Sequence, residues 1–445
     1  MSIITSKYTM TPITKNDREK EQSKTQSFMP IISETCKIID SRTLKDFKTQ
    51  TFGGYSISKA SAALDKAIFE EKIEPALHWA LQLFLSGLIN PLWSKLISIS
   101  SKNINIYNPK LPEFIYNKNI QWQNIVDNVK FTKDNVLLLR NHPTIRLLLA
   151  EIVTVLVLSK KRKLNTLPKI NKTDFIIDNF KSKLEAKDNN LIINIIMDGD
   201  PSELSIAINE FAFHIHNKNV NKALYWLNWI LDWEKINSKK YGKYECASRP
   251  NEGIDSKYFK DVVWLIWSVI HKISQLRNTI SMNISHEWNK QIQCLWQLYT
   301  NKFTPSTRAK KQNYIIWSIL YITETIDYVV PLVDRPELLF QSLLGFDKII
   351  VSLKSQQVIY NNGNGNGNGN GNGYNTNTNQ NLLNVVVENN YMKPQNYEEL
   401  EKKKRDIILA KAQAQKEQIA KQKKINIDSL DKLTEISKLD KYLFS

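Results

Sequence analysis

The sequence predicts an all-α protein: stacked helical hairpins in an α-solenoid-like or two-lobed array, between a disordered N-terminal arm and a tethered C-terminal helix. Three observations predict it. Apolar residues recur at three- and four-residue steps from Ser58 to about Ser355, the spacing of one helix face. A hairpin-like pattern occurs twice at a constant shift. An alternating Asn/Gly tract then separates the helical region from a basic tail.

Residues 1–50 are polar, rich in Ser, Thr and Lys and without a sustained period, so they read as a flexible arm. In the first helical lobe, 51–165, Leu64, Ala67 and Ile68 mark one helix face, and Ala76, Leu77, Ala80, Leu81 and Phe84 mark the next. Pro75 is placed to open the helix that carries Leu77 and Trp79. The most apolar run, Ile145 to Leu158, is interrupted by Arg146 and Glu151. It falls short of the roughly 20 residues a bilayer span needs and reads as a buried core helix.

The second lobe is assigned to 166–356. In Asp198-Gly199-Asp200-Pro201-Ser202-Glu203, Asp200 is placed to cap a helix, Pro201 suits its first position and Glu203 completes a capping-box-like arrangement. Ile68, Ile73 and Ala76-Leu77-His78-Trp79 align with Ile215, Val220 and Ala223-Leu224-Tyr225-Trp226 at a shift of 147 positions, and Ala60 aligns with Ala207. Each copy reads as a helix, a short polar break and a helix opening on Ala-Leu-x-Trp. Such a pair cannot bury its apolar face alone and must stack on neighbours. Trp226, Trp229 and Trp233 share one helical face, a stripe expected in the core.

Residues 357–395 form an Asn/Gly-rich linker that buries too little apolar surface to offset its ordering cost. The tail, 396–445, has high helix propensity but a thin apolar stripe of Leu400, Ile407, Ile408 and Ile419, as in a solvated helix that orders on a partner.

The chain's 445 residues carry 61 Lys and Arg against 44 Asp and Glu, a formal charge of +17. This excess either attracts polyanions or reflects a lysine-rich coding bias. Two clusters concentrate it: Lys160, Lys161, Arg162 and Lys163 after the most apolar helix, and Lys402, Lys403, Lys404 and Arg405 opening the tail. Either would suit nuclear targeting or phosphate contact. For the first, charge complementarity to a helix C-terminus is the competing account.

Familiar chemistry is hard to place. The glycines outside the Asn/Gly tract allow neither GxxxxGK[ST] nor GxGxxG, which argues against a P-loop or dinucleotide site. His214 and His216 stand at i and i+2, so on a helix their rings diverge and would not share an ion. Cys36, Cys246 and Cys294 have no metal-ligand or disulfide spacing, which suits a reducing compartment and not a secreted chain. The polar start, Met1 to Asn16, lacks the apolar stretch of a secretory signal.

Phe52-Gly53-Gly54-Tyr55-Ser56, Ala76-Leu77-His78-Trp79 and Ser86-Gly87-Leu88-Ile89-Asn90-Pro91-Leu92-Trp93 resemble a helical protein family of large nucleocytoplasmic DNA viruses (mimivirus-like). Ile208–His214, Ala223–Lys235 and Val262–Trp267 extend the likeness over roughly residues 51–350. It implies a viral setting and no particular activity. More locally, Leu92–Leu111 is similar to the C-terminal helical region of replication-associated recombination ATPases, relatives of clamp loaders. Here Lys102 or Asn103 replaces that family's acid, and Asn108 its aspartate before proline. The similarity implies an oligomerisation role without the ATPase.

The expected function is therefore a non-enzymatic scaffold or adaptor of a viral DNA replication or genome-handling complex, or alternatively a minor component of the virus particle. Protein partners, self-association and nucleic acid are the expected contacts, without cofactor, metal, membrane span or small-molecule substrate. The expected location is the host cytoplasm (viral factory) or nucleus.

Overall fold

The computed structural model describes residues 32–128, 136–176, 179, 181–277 and 282–363. The protein is all-α. Among the described residues there is no strand, and a single isolated bridge joins Gln50 to Ser56. The main helices are α1 (Ile57–Phe69), α2 (Ile73–Leu85), α3 (Ile89–Asn103), α4 (Leu111–Asn128) and α5 (Pro143–Leu158), then α6 (Ser202–His216), α7 (Val220–Tyr241), α8 (Val262–Arg277), α9 (Met282–Thr300) and α10 (Pro305–Thr323). A last helix, α11, spans Pro336–Gly363.

Local chemistry sets several starts. Ser56 accepts from the Lys59 amide at 3.3 Å to cap α1, and Asn219 accepts from the Lys222 amide at 3.2 Å to cap α7. Thr304 closes a capping box with Thr307 at α10, with Pro305 in the first turn; proline there gives up only an N–H that has no helical partner.

The two hairpins aligned in sequence have the same shape. Between α1 and α2 the chain passes through Glu70 (φ −82°, ψ 6°), and between α6 and α7 through Asn217 (φ −84°, ψ 11°). The next residue is left-handed in both: Glu71 at φ 59° and Lys218 at φ 58°. The Lys72 amide then donates to Ala67 O at 2.9 Å and the Asn219 amide to His214 O at 2.8 Å. This is the Schellman closure, which satisfies the last carbonyls of the first helix and turns the chain back.

The order of packing also recurs. Helix α5 packs against α1, α2, α3 and α4, and α10 against α6, α7, α8 and α9. Both are buried on all sides, α5 from Ile145 to Val157 save Leu147 and Glu151, and α10 continuously from Tyr314 to Thr323. A helix apolar all round is stable only inside a ring of neighbours. The run Ile145–Leu158 is thus a core helix, and no described helix is long and apolar enough to cross a membrane. The halves meet where α4 packs on α9 and α3 on α10, and α11 folds back onto α5 and α2. Lys290 pairs with Glu113 at 2.6 Å, and the Tyr321 hydroxyl donates to Pro109 O at 2.6 Å. One apolar cluster runs through both halves.

Two features depart from the sequence reading. Residues 32–50, assigned to the flexible arm, pack on the bundle. The buried Arg146 donates to Cys36 O at 2.9 Å and Arg140 O at 2.6 Å, and Asn141 bonds both the amide and the carbonyl of Ile38. The Cys36 and Ile38 contacts span 110 and 103 positions, where no local period reveals them. Asp200 does not cap α6; Pro201 precedes the helix instead. The fully buried Asp200 carboxylate forms a fork with Arg249, at 2.8 and 2.6 Å, and accepts the Met197 and Ala247 amides at 2.9 Å. Burial alone would raise its pKa, but these hydrogen bonds hold it below the ordinary carboxylate value of 3.8.

Lys218→Gly is expected to stabilise the protein by about 1 kcal/mol, since glycine relieves the left-handed strain of an exposed residue; thermal denaturation checks this. Asp200→Asn is expected to cost about 3 kcal/mol by leaving Arg249 buried and uncompensated, as read by denaturant titration. In the parent protein this contribution is fully present above pH 4 and is lost as pH falls through the lowered Asp200 pKa. The Asn variant's acid-induced loss should be correspondingly smaller.

Candidate anion-binding face

After Ser159 the chain leaves α5 in extended form and runs beside the end of α3. The Arg162 amide donates to Asn103 O and the Leu164 amide to Lys102 O, each at 2.8 Å. The Asn105 side chain donates back to Arg162 O at 2.8 Å. The first basic cluster is therefore held along its backbone, and its four side chains have different uses.

Lys161 turns inward. Its ammonium donates to Val157 O at 2.8 Å and to Ser159 O, with the Glu71 carboxylate at 3.9 Å. It thus serves the α5 C-terminus, as charge complementarity expects. Burial pushes its pKa down to about 8, against the opposing pull of Glu71. Arg162 makes a fork with Glu324 at 2.7 and 2.6 Å and covers the Tyr107 ring at 5.3 Å. The Glu324 hydrogen bond raises its pKa. This pair ties the segment to the end of α10. Lys160 and Lys163 are exposed, and neither has an ion pair among the described residues. The second cluster, Lys402 to Arg405, lies outside the described residues.

The structure brings Lys161 together with residues that the linear cluster did not suggest. A cleft of about 270 Å³ is lined by Ile68, Phe69, Lys95, Lys102, Asn103 and Lys161. Lys95 reaches Asp65, also on the wall, at 2.6 Å. Lys102 is exposed, and Phe69, the last residue of α1, is 61% exposed. Lys95 and Lys102 are seven residues apart and so share one face of α3, a spacing visible in the sequence. Their meeting with Lys161 is not, because it depends on how α5 ends. A second, larger cleft of about 520 Å³ is lined by Lys163, Asn165, Thr166, Pro168, Asn221 and Leu224.

The two histidines take opposite roles. His214 is buried with its Nε2 3.3 Å from Glu210 Oε2, whereas His216 is exposed. Burial lowers the His214 pKa. Trp226 and Trp229 are core residues, and Trp229 stacks on Trp233 with ring centres 5.2 Å apart. The aromatic belt belongs to packing.

Arg162→Ala is expected to cost about 1–2 kcal/mol and to speed amide exchange along 159–164. Lys160→Ala and Lys163→Ala should leave stability within about 0.5 kcal/mol. Denaturation with hydrogen exchange separates the structural cation from the solvent-facing ones.

No protein-family model, no curated protein and no solved structure matches this chain.

Proposed function

We propose that the protein is a non-enzymatic helical scaffold or adaptor that contacts nucleic acid, or an acidic partner of similar charge, through its basic segments. The observation that carries the reading is the partition of the first basic cluster. Arg162 and Lys161 hold the segment in place, Lys160 and Lys163 remain toward solvent, and the cleft that Lys161 lines also carries Lys95 and Lys102. Cations held on an ordered backbone lose less freedom on binding than cations on a mobile chain. A chain of +17 supports the same contact at longer range. The tail cluster, Lys402 to Arg405, supplies a second basic contact. The proposed setting is the DNA replication or genome-handling machinery of a large DNA virus, in line with the sequence resemblance.

DNA affinity measured against salt tests this reading. The full chain should bind duplex DNA at low salt, with affinity falling linearly on logarithmic axes by about 0.9 per phosphate contact. Lys160→Glu with Lys163→Glu should reduce that slope by about two, and ending the chain at Tyr360 should reduce it further. If the full chain binds no DNA at low salt, the nucleic-acid contact is lost.

A further inference from the structure

The cleft between α1, α3 and the 159–164 segment combines two properties that suit one chemical class of ligand. It has more cations than acids among the described residues that line it: Lys95, Lys102 and Lys161 against Asp65. Lys95 is matched by Asp65 and the Lys161 ammonium is turned to Val157 O, Ser159 O and Glu71, so Lys102 is the lining lysine with no ion pair among the described residues. The cleft also has a stacking surface. The Phe69 ring on its wall is 61% exposed at a helix end, while Ile68 behind it is buried. Ser98 and Asn103 add uncharged polar groups. Lysines that track a phosphate beside an aromatic face that accepts a base are the two parts of a single-strand nucleotide site. A volume of about 270 Å³ admits a phosphoryl group and its sugar but not a duplex.

We propose that this cleft binds one nucleotide unit, with its phosphate held by Lys102 and its base against the Phe69 ring. The inference rests on the polyanion reading of this face and narrows it to a saturable site. The unit is either a free nucleotide or one residue of a single strand, since both present the same phosphate and base.

The full chain is titrated calorimetrically at low salt with dTMP, with inorganic phosphate and with an oligothymidylate. The expected result is that dTMP binds about tenfold more tightly than phosphate, the worth of one base stacked on an aromatic ring. Phe69→Ala should abolish that difference and leave phosphate affinity unchanged, Phe69→Trp should retain it, and Lys102→Ala should weaken both ligands. Competition between the oligothymidylate and dTMP assigns the site to a strand; binding of dTMP without competition assigns it to a free nucleotide. The proposal is overturned if dTMP binds no better than phosphate, or if Phe69→Ala leaves dTMP affinity as it was. Duplex binding that persists without any dTMP binding rejects the cleft alone, whereas loss of all binding in the parent chain rejects the polyanion reading with it.

Discussion

Burial of α5 and of the C-terminal half of α10, each enclosed on every side, is the constraint from which the rest of this architecture follows. Neither α5 from Ile145 to Val157 nor α10 from Tyr314 to Thr323 presents a broad face to water, so each requires neighbours all round. Four helices supply them in each half, in the same chain order. The Schellman-closed hairpins α1–α2 and α6–α7 are the units that make this possible, because they present two linked helices at a set angle. α11 completes the wall round α5, which explains why a helix so late in the chain returns to the first half.

Charges inside this framework are placed to connect elements. Arg146, on the central helix α5, holds residues 32–50 through the Cys36 carbonyl. Arg249 and Asp200 fasten the loop after α7 to the approach of α6. Arg308 at the start of α10 binds Glu234 of α7 and Asp261 just before α8. Each pair lies between segments distant in sequence, and removing one partner would leave a buried charge uncompensated. Arg162 and Glu324 follow the same pattern at the basic face. The net positive charge of the chain is therefore not uniformly available to a ligand, since part of it is consumed in holding the fold.

The periodicity of the sequence was enough to establish the helical class, the core helix at Ile145–Leu158 and the paired hairpins, because each depends on spacing within a few turns of chain. The 147-residue shift even matched the turn conformation at Glu71 and Lys218, since a hairpin's closure is decided by the residues that form it. Spacing also indicated that His214 and His216 point apart, and the structure buries the first and exposes the second. Local rules misled at Asp200, where a short side chain before a proline looks like a cap whatever else competes for it; Arg249, 49 positions on, competed and won.

The candidate site divides along the same line. Four consecutive cations were evident in the sequence as a candidate contact, as was the alternative that they serve a helix end. Tertiary structure divided the four: Lys161 faces the carbonyls closing α5, Arg162 faces Glu324, and Lys160 and Lys163 face solvent. It also decided that Lys95, Lys102 and Phe69 border the same space as Lys161. A charge run reports how many cations are present, but their direction depends on which carbonyls and carboxylates the rest of the fold brings within hydrogen-bond reach. Sequence alone thus determined the helices and their hairpins through short-range spacing, and only the packed chain determined which basic side chains remain free to meet a ligand.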